Sequence, residues 1–251
     1  LFVLYWKQRL RAARMKYMYL SNYSVKVIKT LDKTVSLSFY KKTINKEPDT
    51  QEYNIKGIYG MNGSGKSGIV TSVEILRNLI IDTGYLNNPI TQNHLDAIVN
   101  KKVGKLSLEA EFMAKSSGEL LLYQYEITLS KNKTGKFTIA QECLKGKKAT
   151  LKSSSLEKIY EVCDGEIILI YGSEEENGFV AEIRNKTMNL LSTGSVSALI
   201  YDKLLCAGSD NYFLYRKDKV AQVIMNAVGM LFALGHKLHV YLDESDDHKP
   251  Y

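Results

Sequence analysis

Residues 55–70 read IKGIYGMNGSGKSGIV, and the fold of the chain turns on them. Ile55–Tyr59 is a compact β-branched and aromatic run that stops at Gly60, as a buried strand does. Gly60-Met61-Asn62-Gly63-Ser64-Gly65-Lys66-Ser67 then fits G-x-x-x-x-G-K-[ST] at every position. From Ser67 the period changes: Ile69, Val73, Leu76 and Ile80 fall on one face of a helix. Strand, glycine-rich turn and helix in that order form a cradle for phosphate. The glycines let consecutive backbone N–H groups point inward at a helix N-terminus. Lys66 then supplies a mobile positive charge for β- and γ-phosphates, and Ser67 a hydroxyl ligand for Mg²⁺. A nucleotide phosphate with Mg²⁺ is the ligand expected of Gly60, Asn62, Gly63, Ser64, Gly65, Lys66, Ser67 and Gly68.

Outward from this stretch the pattern is mostly β. Val25–Ile28 and Val35–Phe39 precede it as strands. After the helix, Gly84 and Asn87-Asn88-Pro89 mark a stop. Leu106, Leu108, Ala110 and Phe112 alternate with polar residues, as do Tyr123, Tyr125, Ile127 and Leu129, then Phe137 and Ile139. With turn residues at 116–118 and 132–135, this region reads as an antiparallel meander. Glu166–Tyr171 is a further strand. Val220, Val223, Ala227, Leu231 and Leu234 form a helical stripe near the end of the chain. The fold class expected is α/β, with the meander packed beside the strand and helix that flank the glycine-rich turn.

Composition narrows the class further. At 251 residues with 45% hydrophobic and 24% charged residues, the chain can bury a core, and wholly disordered and collagen-like classes are excluded. The longest apolar runs, Leu1–Trp6 and Val228–Gly235, fall short of the ~18 residues of a membrane span, so no membrane role is expected. Cys143, Cys163 and Cys206 are an odd, widely spaced set, which suits a reducing, cytoplasmic setting. The net charge of +7 is unevenly spread. Residues 1–14 carry Lys7, Arg9, Arg11 and Arg14 with no acid. That break in composition marks 1–14 as a leader or upstream extension, and 15–251 as the folded unit. Residues 131–152 hold seven lysines against Glu142. A solvated hairpin surface is the favoured account of that run, and DNA backbone contact the alternative.

IYGMNGSGKSGIV resembles the phosphate loop of ABC-type ATPase heads, which reads G-x-N-G-x-G-K-S. Leu20, Asn22, Tyr23 and Ser24 resemble the "L-x-N-Y-S" opening of SMC-like, OLD-like and abortive-infection AAA-family ATPases. Tyr123–Leu144 is similar to that family's "Y-x-Y-x-h…h-x-x-E-x-L" element. The resemblance implies a P-loop NTPase head over residues 15–171, hydrolysing ATP when two heads pair as a homodimer or head-to-head assembly. It also implies service in a bacterial defence or DNA-processing complex beside a nuclease or toxin subunit. By the same resemblance Tyr40, 26 residues before Lys66, is a candidate to stack on adenine, and Gln141 a candidate to contact Mg²⁺ and the attacking water. Leu238–Glu244 is the one hydrophobic run ending in an acidic pair. Asp243 is there a candidate Mg²⁺ ligand and Glu244 a candidate base, although a solvated strand end is the favoured reading. Leu191-Ser192-Thr193-Gly194 lies too far ahead of this strand to match the family's signature motif. The chain therefore reads as the N-terminal portion of a head. An ATP-dependent sensor or clamp without turnover of its own is the alternative function.

Overall fold

The computed structural model describes residues 2–6, 18–29, 31–39, 55–61, 64–116, 118–149, 155–172, 178–187, 193–202 and 218–242. The chain is mixed α/β. Seven strands, β2 (Met18–Ile28), β3 (Leu31–Ser38), β5 (Lys105–Ser116), β6 (Glu119–Lys131), β7 (Phe137–Lys148), β8 (Glu157–Cys163) and β9 (Glu166–Ile170), form one sheet. Its order is β3-β2-β5-β6-β7-β8-β9, antiparallel throughout. The expected meander is its centre. Leu106, Leu108, Ala110, Phe112, Tyr125, Ile127 and Leu129 are buried on one face, while Lys105, Gln124 and Glu126 lie on the other. β8 is additional to the expected strands. It joins β9 through Asp164-Gly165, both at positive φ (47° and 82°), the Asp-Gly pair that two-residue hairpins favour.

A bulge in β7 decides which of its side chains face inward. Leu129 pairs with Ile139 but Thr128 pairs with Gln141, so Ala140 has no opposite number. Past it the alternation changes phase: Phe137 and Ile139 are buried before it, Glu142 and Leu144 after it.

A second sheet has the order β10-β1-β4, with β1 Phe2–Trp6, β4 Ile55–Ile58 and β10 Leu238–Leu242. Phe2–Trp6, which the charge pattern assigns to an extension outside the fold, is its middle strand, antiparallel to both neighbours. The composition of residues 1–14 carries no trace of this, because the strand's partners lie far away in sequence.

Helix α1 (Lys66–Ile81) connects the two sheets, packing on β2 of the first and on β1 and β10 of the second. α2 (Pro89–Ile98) begins where the sequence suggests a stop: Asn88 accepts from the Ile90 N–H and Pro89 occupies the first turn. α3 (Gly178–Thr187) and the short α4 (Val196–Ile200) precede α5 (Lys219–Lys237). In α5 the buried face is Ala221, Ile224, Ala227, Val228, Leu231 and Leu234, and Val223 turns outward. α5 crosses α1 closely at Gly235, where an added Cβ would meet the Ile80 and Ile81 side chains at 2.7–2.8 Å. By length and composition α5 is apolar enough to cross a bilayer, which the search for unbroken apolar runs does not reveal.

Candidate functional site

β4 ends at Ile58, and the chain then turns outward, leaving Tyr59 (79% exposed) and Met61 (86% exposed) on the surface. Asn62 and Gly63 lie outside the described residues. Ser64 and Gly65 lead into α1, and Gly65 sits in the left-handed region at φ 88°. Glycine is required there twice over. The backbone disfavours a side chain, and a Cβ would stand 2.8–3.1 Å from the Leu31 side chain. The β2–β3 hairpin is thus packed directly against the loop.

Lys66 is the first residue of α1, and its Nζ folds back to donate to the carbonyls of Gly60 (2.5 Å) and Met61 (2.8 Å). Ser67 is exposed, and its Oγ accepts from Lys29 Nζ at 3.3 Å. Gly68 is buried, with Ile28 and Lys29 over it. The first turn of α1 holds no acidic residue. The Lys66 ammonium at the loop carbonyls and the Lys29 ammonium at Ser67 Oγ thus flank a helix N-terminus whose first turn carries no acid, an environment suited to an anion.

The remaining expected residues are placed differently. Gln141 is exposed and faces away from the helices. It lines a cavity of about 410 Å³ on the outer face of the large sheet with Glu126, Thr128, Cys143, Glu161 and Cys163, none of them from the Gly60–Ser67 stretch. The bulge at Ala140 is the cause, since it turns Glu142 rather than Gln141 inward. Tyr40, Asp243 and Glu244 lie outside the described residues. Leu191 and Ser192 lie outside the described residues; Gly194 is buried, with the Thr83 carbonyl 3.0 Å from where a Cβ would be. In the lysine run, Lys131, Lys145 and Lys148 pair with Asp96, Glu126 and Glu119.

Glu142 is the acid of the h-x-x-E-x-L element, and the sequence assigns it no role. It is 1% exposed, and its carboxylate accepts from Tyr125 (3.0 Å), Tyr160 (2.8 Å) and the backbone N–H of Val196 (2.8 Å). These bonds dock the start of α4 onto the large sheet. Burial pushes the Glu142 carboxyl above its ordinary value, against the pull of the Val196 N–H and the two tyrosine hydroxyls. Burial, with Glu142 alongside, likewise raises both tyrosines. The signal for it was the phase change within β7, which a search for strict alternation does not register.

Cys143 is buried, and desolvation lifts its thiol to about 11, which leaves it protonated at neutral pH. No family model matches this chain, and neither does any curated protein.

Proposed function

We propose that the chain is an ATP-binding subunit of the P-loop ATPase class, of ABC/SMC-head type, hydrolysing ATP with Mg²⁺ when two heads pair. The observation that carries this reading is the complete G-x-x-x-x-G-K-S run between β4 and α1, with Lys66 at the loop carbonyls and Ser67 exposed beside it. The residues present fit a nucleotide phosphate. Lys66 Nζ holds carbonyls of its own loop, and phosphate oxygens are stronger acceptors for an ammonium. Ser67 Oγ would serve as one Mg²⁺ ligand, which suits an ion that keeps its waters and binds few protein groups.

The second sheet supports hydrolysis as well as binding. β4 and β10 are both antiparallel to β1, so they run parallel to each other. Ile58 and Leu242 both pair with Phe2, so the two strands end level, roughly 10 Å apart across one intervening strand. The residues that follow are the glycine-rich stretch on one side and Asp243-Glu244 on the other. That alignment favours the acidic pair as Mg²⁺ ligand and base over a solvated strand end. Pairing of two copies would exclude water and complete the charge stabilisation of the transition state. Work in a cytoplasmic defence or DNA-processing complex, beside a nuclease or toxin subunit, is the setting proposed for it. An ATP-driven sensor or clamp is the second reading, favoured by the hold that α1 has on both sheets, through which nucleotide would reach each.

Calorimetry and steady-state ATPase assays test this. Lys66→Ala should abolish ATP binding. Glu244→Gln should retain binding and lose turnover, and the specific rate of the wild-type chain should rise with protein concentration. Wild-type affinity for ATP in Lys66→Ala would remove the assignment. Binding without turnover at any concentration would select the sensor.

A further inference from the structure

A second lysine stands at the same site, and neither the motif nor the reading above assigns it. Lys29, in the turn between β2 and β3, has φ 50°. This left-handed backbone is disfavoured for a residue with a side chain, and glycine is its usual occupant. The surroundings hold it there from both sides. Its N–H donates to the Ile98 carbonyl at 2.7 Å, and the Lys29 carbonyl accepts from Asn100 Nδ2 at 3.0 Å. A strained backbone so firmly fixed points to a use for the side chain. The side chain runs over the first turn of α1: a Cβ added at Gly68 would touch Lys29 Cδ at 3.4 Å and Cγ at 3.7 Å. It ends with Nζ 3.3 Å from Ser67 Oγ. The hydroxyl it holds is the one expected to take Mg²⁺.

We propose that Lys29 is a second phosphate-binding cation of this site, delivered by the β2–β3 turn. Without nucleotide its ammonium rests on Ser67 Oγ. When ATP binds it donates instead to the adjacent phosphate oxygens, which frees the hydroxyl for Mg²⁺. No bond is made or broken; the ammonium exchanges a neutral acceptor for charged ones, which bind it about twice as strongly. The proposal rests on the nucleotide reading. Lys29 and Mg²⁺ share the neutralisation of the phosphates, so the lysine matters most when the metal is absent.

The test is calorimetric titration of the full chain with ATP, once with Mg²⁺ and once with EDTA, for wild type, Lys29→Gly and Lys29→Arg. Glycine suits φ 50°, so Lys29→Gly should keep or slightly raise the melting temperature while removing the charge. The affinity of Lys29→Gly for Mg-ATP should fall roughly tenfold, the loss of one charged hydrogen bond, and by more in EDTA. Lys29→Arg should recover most of it. Wild-type affinity in Lys29→Gly under both conditions would overturn the proposal and leave the nucleotide reading intact. A wild-type chain that binds no ATP, or whose binding survives Lys66→Ala, would overturn the nucleotide reading and this role with it.

Discussion

In the large sheet each strand from β5 to β8 pairs with the next one in the chain; in the small sheet no strand does. The two therefore depend on different information. A hairpin closes a short loop at small entropic cost, and its turn residues and alternation specify register locally. The small sheet brings Phe2–Trp6 between Ile55–Ile58 and Leu238–Leu242, segments separated by most of the chain. Its register has to be set by tertiary packing, chiefly on α1. Yet the small sheet launches the Gly60–Ser67 stretch, so the most readable motif in the sequence sits on its least readable support.

The largest expected effect comes from breaking that support. Deleting residues 1–14 removes the middle strand and leaves β4 and β10 with nothing between them. At about 1 kcal/mol for each ladder hydrogen bond lost, stability should fall by on the order of 5 kcal/mol. ATP affinity should fall with it, because β4 no longer fixes Gly60. Urea denaturation read alongside calorimetry measures both. Stability within about 0.5 kcal/mol of the full chain would mean that the small sheet needs no middle strand, and that the charge pattern had been read correctly.

The same contrast explains what the sequence made legible. Leu106–Phe112 and Tyr123–Leu129 announce themselves by period, and Ile69–Ile80 by a helical face; each is buried as expected. Asn88-Pro89 signals both a stop and a start, and only packing selects α2. Asp164-Gly165 is a hairpin signal present in the sequence but lying beside a strand, β8, whose buried residues Ile159, Tyr160 and Val162 do not alternate strictly. In the glycine-rich stretch, spacing alone singles out Lys66 and Ser67 as candidates. It does not single out Lys29, since its proximity to Ser67 depends on how the β2–β3 turn is clamped by Ile98 and Asn100. Glu142 stands in the sequence as the acid of the h-x-x-E-x-L element, but its inward direction is not legible there, because a single unpaired residue, Ala140, inverts the face of everything after it.

A smaller effect, where α4 docks on the large sheet, is expected at Glu142. Glu142→Ala would leave two buried tyrosine hydroxyls and the Val196 N–H without their acceptor, costing roughly 3–4 kcal/mol. Glu142→Gln keeps the shape and should cost less. The two differ from wild type in pH dependence also. The native carboxyl titrates above its ordinary 4.5, so the folded state binds the proton more tightly than the unfolded chain does. Its contribution is then full below the unfolded value and declines as pH rises through the raised native one. The stability advantage of wild type over Glu142→Gln should accordingly shrink with rising pH, read from melting temperatures in a buffer series. An advantage that grows with pH would show that the hydrogen bonds outweigh burial and that the carboxyl titrates low.

The smallest effect is expected where the two sheets are tied together through α1. Ser72 on α1 is fully buried, and its Oγ donates to the Ile69 carbonyl at 2.6 Å. That spends its one hydrogen, so the 2.6 Å contact with Tyr23 Oη on β2 must be donated by the phenol. Burial pushes the phenol well above its ordinary 10, with the bond to Ser72 pulling the other way, so it stays a donor at any working pH. Ser72→Ala strands a buried hydroxyl and should cost about 1–2 kcal/mol. Tyr23→Phe leaves Ser72 its bond to Ile69 and should cost less. Once the phenol is gone, Ser72→Ala strands nothing, so the double variant should be more stable than the sum of the singles implies. Because α1 holds both sheets by apolar packing as well, unfolding should remain one transition in all three variants. A Ser72→Ala chain that melts in two steps would mean that this one bond, rather than the packing of α1, keeps the two sheets cooperative.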